Sequence, residues 1–427
     1  MGRQLYTSEP PEETVLLVGA QLGRATVWSV SDSVDELELL CQSAGARVVE
    51  RIICKLPRPH PASFIGKGKA TEIAELVKER GITTIVFDDD LSPAQGRNLE
   101  KIAAVKIIDR TQLILDIFAQ HARTREGRMQ IELAQLEYLL PRLKRMWTHL
   151  ERQKGGIGLR GPGEKQIEMD RRRIVEQIGR YKKDLELLRR RRAEQRRGRR
   201  RHGWALISLV GYTNAGKSTL LNSLTGADVL VYDQLFATLD PTTRRLKLPN
   251  HQPALITDTV GFIRKLPHDL VDSFKATLEE TIEADLLLHV IDASHPQVEQ
   301  QIEAVHQVLH DLGVEETPVV PVFNKRDLPG AQNRVGRLEA KLGQGVAVSA
   351  LHGEGLDHLR DVLADRLRNR GQKVQLRVPL HEGKLLAHIR SGGTILTEAY
   401  EDDFVVMTAN IPAHLIGACV PFVQEPR

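Results

Sequence analysis

The chain has 427 residues, 41% of them hydrophobic and 27% charged, with a formal net charge of +4. That length calls for several domains, and the composition is that of a water-exposed globular protein rather than a membrane-embedded or low-complexity one. Cys41, Cys54 and Cys419 are far apart, odd in number and without a His/Cys cluster at zinc spacing, which argues against a disulfide framework or a structural metal and fits a reducing cytoplasm. Residues 1–14 are polar and acidic, and no apolar run is long enough to span a bilayer, so neither a secretory leader nor membrane insertion is expected, although peripheral contact with a membrane stays compatible. The modest net charge conceals an asymmetry. Residues 123–201 hold 25 Lys/Arg against 11 Asp/Glu, leaving the remainder net acidic, so one segment is suited to a polyanion.

In chain order, the runs 14–19, 47–53, 82–87 and 105–108 are β-rich and alternate with helical windows, which predicts a small α/β domain over residues 1–122. The triplet Asp88-Asp89-Asp90 reads as a solvated turn into a helix, because Ser92, Pro93 and Gln95 supply an N-cap, a first-turn proline and a capping-box glutamine. A helical hairpin is expected over residues 123–202, from one helix at about 125–144 interrupted at Pro141 and a second at about 164–197. Its connection, residues 155–163, has five glycines in nine residues, one arginine and no acid; by itself this fits an RNA-reaching loop or a plain turn. Nine arginines follow within residues 189–201, a run that either frays, binds RNA or serves as a solubilising linker.

Strands at 205–210, 254–257, 286–291, 319–323 and 346–349, separated by helical windows, predict a mostly parallel, doubly wound sheet over residues 203–371. Residues 372–427 read as strand, helix, strand, strand, helix, a small α+β module.

Gly211-Tyr212-Thr213-Asn214-Ala215-Gly216-Lys217-Ser218 lies between the apolar strand 205–210 and a helical run, the context a P-loop requires. Glycines let backbone N–H groups converge on phosphate oxygens; Lys217 is expected at the β/γ-phosphates and Ser218 on Mg2+. Asp258-Thr259-Val260-Gly261 ends the next strand, placing a carboxylate for Mg2+ and a glycine amide for the γ-phosphate. Asn324-Lys325-Arg326-Asp327 follows the strand 319–323. The Asp327 carboxylate can accept from both N1–H and the exocyclic amine of guanine, a pattern that adenine cannot return, so GTP is expected over ATP. Asn324 is expected to tie this loop to the P-loop, and the Lys325 stem to cover the base. After the last strand, Val348-Ser349-Ala350 would offer an amide to the guanine oxygen. A switch threonine on Mg2+ is sought in Phe236-Ala237-Thr238-Leu239-Asp240-Pro241-Thr242-Thr243; Thr238 is preferred over Thr242 and Thr243 because its Thr-Leu-x-Pro-Thr setting resembles the corresponding stretch of Obg-type GTPases, and an ordinary polar turn is the alternative. Lys217, Thr238 and Gly261 are the expected catalytic group. Phe262 occupies the place of a water-orienting glutamine, so slow intrinsic turnover and an external activator are expected.

Phe64-Ile65-Gly66-Lys67-Gly68-Lys69, Asp90-Leu91-Ser92-Pro93-Ala94-Gln95, Asp109-Arg110-Thr111, residues 128–136, the loop 155–164 and the Phe-Ala-Thr-Leu-Asp switch together resemble the signatures of the HflX family, within the Obg–HflX group of translation GTPases. The resemblance implies binding to the large ribosomal subunit and its rRNA, ribosome-stimulated GTPase activity, and splitting of stalled ribosomes, notably under heat stress. It places the 155–163 loop toward the peptidyl transferase centre. Family members are also credited with ATP binding and RNA unwinding through the N-terminal region, yet Gly66-Lys67-Gly68-Lys69 is not a P-loop. An RNA helicase, and a GTP-switched ribosome binder without splitting activity, are the competing functions; a monomer is expected.

Overall fold

The computed structural model describes residues 13–23, 29–143, 162–201, 204–226, 235–236, 238–250, 252–265, 278–314, 316–368, 372–411 and 413–424. Two compact units emerge. The first comprises residues 1–185 together with 233–239 and 265–274; the second holds 186–232, 240–264 and 275–427.

The first unit is built on four parallel strands, β1 (Thr14–Leu22), β2 (Arg47–Leu56), β3 (Thr84–Phe87) and β4 (Lys106–Asp109), in the order β2-β1-β3-β4. Its crossovers are α1 (Val30–Ser43), α2 (Lys67–Arg80) and α3 (Pro93–Ala103), followed by α4 (Arg110–His121) and α5 (Arg125–Leu143). The capping chemistry read from sequence is present at α3: Ser92 Oγ accepts from the Gln95 N–H, and the Gln95 side chain accepts from the Ser92 N–H.

In the aspartate triplet Asp90 is exposed and Asp89 partly so, as a solvated turn requires, but Asp88 departs from expectation. Asp88 is buried, not solvated: it accepts from Arg110 (2.8 Å), Ser33 (2.7 Å) and Lys265 (2.6 Å). A carboxylate at the end of a central parallel strand is overlaid by helices, and a buried charge persists only with partners. Pro141 also differs, lying inside α5 rather than interrupting it.

The second arm of the hairpin is α6 (Pro162–Arg201), a single helix of 40 residues. It meets α5 through Tyr181 with Glu132 (2.5 Å) and Lys182 with Glu137 (2.9 Å), and it buries Ile178 and Leu185. The arginine run continues this helix instead of fraying. Arginine is a good helix former, and Arg190 is paired one turn back with Glu186. Within the 155–163 loop, residues 155–161 lie outside the described residues.

In the second unit six strands run in the order β10-β9-β8-β5-β7-β6. They are β5 (Ala205–Val210), β6 (Thr242–Lys247), β7 (Pro253–Asp258), β8 (Leu286–Asp292), β9 (Val319–Asn324) and β10 (Val346–Ala347). All neighbours pair in parallel except β6, an antiparallel edge strand the sequence reading lacked. Its Thr242-Thr243-Arg244-Arg245 start carries no aliphatic or aromatic residue, and Leu246 is the one buried position of this edge strand. The helices are α7 (Lys217–Thr225), α8 (Val298–Asp311), α9 (Ala331–Leu342) and α10 (Leu356–Arg368). Both faces of the sheet are covered, which is why β5 and β8 are buried along their whole length. Because these strands are parallel, Val210, Asp258, Asp292, Asn324 and Ala347 all lie at the same, carboxyl end of the sheet.

The end of the chain has its own core. An antiparallel sheet of β11 (Gln372–Pro379), β12 (Thr394–Glu401) and β13 (Phe404–Ile411), ordered β11-β13-β12, packs Leu376, Val378, Val405 and Met407 against Leu386 and Ile389 of α11 (Gly383–Gly392) and Cys419 of α12 (Ala413–Cys419). The expected order of elements is observed.

Candidate nucleotide site

The P-loop occupies the turn from β5 into α7, and its glycines are required by contact. Gly211 has φ +154°, and a Cβ there would lie 2.3 Å from the Val290 carbonyl oxygen. Gly216 has φ +91°, and a Cβ would lie 2.2 Å from Asn324 Nδ2. Both conformations are open to glycine and strained for other residues. Asn214 adopts a left-handed conformation, φ +57°, within the same loop. Lys217 is buried, and its ammonium donates to the carbonyls of Gly211 (3.1 Å) and Tyr212 (2.8 Å). Burial pulls its pKa down to about 8, a shift opposed by the Asp258 carboxylate. Thr213 Oγ1 is buried without a hydrogen-bond partner.

Asp258, fully buried at the end of β7, accepts from Ser218 Oγ at 2.6 Å. Thr259 is fixed by donation to the Leu209 carbonyl (2.6 Å). Next, Gly261 approaches the P-loop so closely that a Cβ would lie 2.9 Å from Thr213 Cα and 3.0 Å from Lys217 Nζ. Phe262 clips to the same loop from both sides: its N–H donates to the Gly211 carbonyl (3.1 Å) and its carbonyl accepts from the Thr213 N–H (2.8 Å). The ring itself is buried.

At the neighbouring strand ends, Asn324 joins two loops. Its Nδ2 donates to the Ala215 carbonyl (2.9 Å), and its Oδ1 accepts from the Ala350 N–H (3.0 Å). A hydrogen bond from the Ser349 hydroxyl holds the Asp327 carboxyl below the usual range, and His352 Nε2 stands 3.8 Å away. The Ser349 N–H donates to Glu354, so both amides expected to face a base already serve the protein. β10 ends at Ala347, short of the expected strand end at residue 349, and the Val348 N–H donates to Phe323 instead. Lys325, at φ +60°, sends its ammonium to Asp292 (2.8 Å), a partner that no local motif announced.

The switch stretch divides. Thr242 and Thr243 are strand residues in β6, with Thr243 Oγ1 2.9 Å from Thr257 Oγ1, so neither stands in a loop as a switch threonine would. Phe236, Thr238 and Leu239 group with the first unit, Asp240 with the second, and Ala237 lies outside the described residues. Phe236 is buried, edge-on to Phe118 with ring centroids 4.6 Å apart, and the preceding Leu235 N–H donates to Ser43 Oγ (3.1 Å). Lys265, in the same unit, pairs with Asp88 and Asp89 at 2.6 Å each. Nothing local in the sequence marks these contacts, since Phe118 and Ser43 are far away along the chain.

Among the described residues no group of three or more His, Cys, Asp or Glu could hold a metal ion, and no helix is long and apolar enough to cross a membrane. The part-buried hydroxyl–carboxylate pair Ser218–Asp258 is a hard-oxygen donor set, which suits Mg2+ completed by water and phosphate oxygens.

Three family models match in succession: "GTP-binding GTPase N-terminal" over residues 31–119, "GTP-binding GTPase Middle Region" over 121–199 and "50S ribosome-binding GTPase" over 206–325. The chain is 46% identical over 407 residues to GTPase HflX of Lacrimispora saccharolytica, covering 95% of each chain. It is 49% identical to GTPase HflX of Escherichia coli over 373 residues, 87% of this chain and 88% of that one. Among solved structures it is similar to a GTP-binding protein of Sulfolobus solfataricus in complex with GDP, at 25% identity and TM-score 0.44 over 84% of this chain and 99% of that one. The family follows from the sequence relatives alone: this chain hydrolyses GTP and belongs to the HflX family of GTPases.

Proposed function

We propose that this GTPase binds the large ribosomal subunit, with its basic hairpin along rRNA near the peptidyl transferase centre, and splits stalled ribosomes into subunits, notably under heat stress. The observation that carries the reading is α6. It brings an arginine-rich helix of 40 residues to within a few residues of β5, the strand that opens the P-loop. A polyanion that engages this helix neutralises its self-repulsion, and the chain runs on from this helix into the strand that ends at the P-loop. The match to a model described as "50S ribosome-binding GTPase" supports the same partner.

In the site, the Gly211–Ser218 backbone cradles the phosphates, and the Lys217 ammonium exchanges its loop carbonyls for β/γ-phosphate oxygens. Ser218 and Asp258 would hold Mg2+, with Thr238 as the switch threonine, and the ion would supply positive charge against that of the phosphates. The Gly261 amide faces the γ-phosphate and senses it. Asp327 reads guanine, and the Ala350 N–H, held by Asn324, is shared with the base oxygen. Phe262 offers no polar group to orient water, so turnover is slow until the ribosome completes the site. Binding energy on the large subunit drives splitting, and hydrolysis resets the factor. The free, buried cysteines Cys41, Cys54 and Cys419 suit a cytoplasmic location.

The test is sedimentation of 70S ribosomes with the protein plus GTP, a non-hydrolysable analogue, or GDP. Free subunits are expected with GTP and with the analogue but not with GDP. Intact ribosomes under all three conditions would sink the proposal.

A further inference from the structure

We infer that Asp292 is a positioning residue for guanine-nucleotide binding, acting through Lys325. The inference rests on the assignment of Asn324–Asp327 as the guanine loop. Asp292 ends β8 directly opposite Asn324, which ends β9. Both its carboxylate oxygens are engaged: Oδ2 with Lys325 Nζ at 2.8 Å, and Oδ1 with the Ser294 N–H (2.9 Å) and hydroxyl (2.5 Å). The loop behind it is held in turn. Arg334 donates to the Ser294 carbonyl (2.9 Å), and the Ala293 N–H donates to the Asn324 carbonyl (3.0 Å).

The consequence concerns the lysine stem. Lys325 is pinned at one end by its left-handed backbone (φ +60°) and at the other by the ion pair, in which its side chain is 28% exposed and that of Asp292 12%. A free lysine samples many rotamers, and ordering it on ligand binding costs affinity. Fixed in advance, the four-carbon stem presents its apolar flank to the base without that cost. Asp292 touches no part of the nucleotide in this scheme. It acts only on where Lys325 lies.

The test is a double-mutant cycle on the full-length protein, read as the dissociation rate of a fluorescent GDP derivative by stopped flow. Asp292→Asn keeps an acceptor for Ser294 but removes the charge that holds Lys325. Lys325→Met keeps an apolar stem and removes the ammonium. Each single change is expected to speed dissociation roughly tenfold, with the double variant no faster than Lys325→Met alone. In steady-state hydrolysis the Asp292→Asn defect falls in KM rather than kcat, and inosine diphosphate is released faster by the same factor, because stem contact does not depend on the exocyclic amine. Thermal unfolding of each variant, and the Lys325→Met arm in particular, keeps the result readable if Asp292→Asn alters folding. Dissociation within twofold of the unsubstituted protein overturns the inference, as does an equal acceleration by Asp292→Asn in the Lys325→Met background. Failure of the underlying assignment has a different signature: Asp327→Asn would then leave the preference for guanine over xanthine nucleotides unchanged.

Discussion

Lys217 shows how one side chain can carry a pH dependence set by burial. An exposed lysine holds its proton to about 10.4, whereas here desolvation brings the value down to about 8, with Asp258 pulling it back up. In the free protein the ammonium therefore loses its proton as pH rises through about 8. Phosphate oxygens favour the charged form, so the nucleotide-bound pKa lies higher, and binding above that pH must take up a proton. Affinity for GTP is expected to be level below about 8 and to fall as pH rises above it. The stability of the free protein moves the opposite way between the folded and unfolded values, because there the unfolded chain binds more protons. Calorimetry at pH 9 in two buffers of different ionisation heat measures the uptake. Level affinity with no proton uptake would show that Lys217 stays charged in the free protein.

At the scale of elements, Asp88 is where β3, α1, α4 and the segment bearing Lys265 converge through Ser33, Arg110 and Lys265. Arg110 is almost wholly buried, with Glu36 as a further partner. Asp88→Ala leaves that guanidinium short of charge compensation and is expected to cost roughly 3 kcal/mol. Asp89→Ala removes a more accessible partner of Lys265 and should cost less than about 1 kcal/mol. Urea denaturation distinguishes the two, and equal losses would mean that the Asp88 cluster contributes no more than a surface pair. The capping box at Ser92 was legible because it is a pattern within four residues. The burial of Asp88 was not, since it depends on Ser33, Arg110 and Lys265, drawn from three distant parts of the chain. β6 escaped for a related reason: an edge strand needs only one neighbour, and β7 supplies it through backbone pairing that leaves little trace in side-chain alternation.

For the whole molecule the governing quantity is the uneven charge, 25 Lys/Arg against 11 Asp/Glu across residues 123–201. If this segment meets rRNA phosphates, association with ribosomes should weaken linearly with the logarithm of salt concentration. Arg171 and Arg191 are exposed on α6. Replacing both by glutamine is expected to lower the slope by roughly 1.4 to 1.8, at about 0.7 to 0.9 per neutralised phosphate. An unchanged slope would move the contact to another face.

The sequence by itself determined the chemistry that a short stretch of backbone can encode: the P-loop, the Asp258–Gly261 turn, the Asn324–Asp327 loop and the alternation that orders strands and helices. These are local because glycine conformation, capping and strand-end position act over a few residues. Tertiary structure alone decided which distant groups meet them. Asp292 on Lys325, Phe118 on Phe236, and Asp88 on Lys265 are pairings between strand ends, helices and loops that the chain brings together only by folding. Burial then gives those pairings their weight, because charges and rings removed from water must find partners or destabilise the fold.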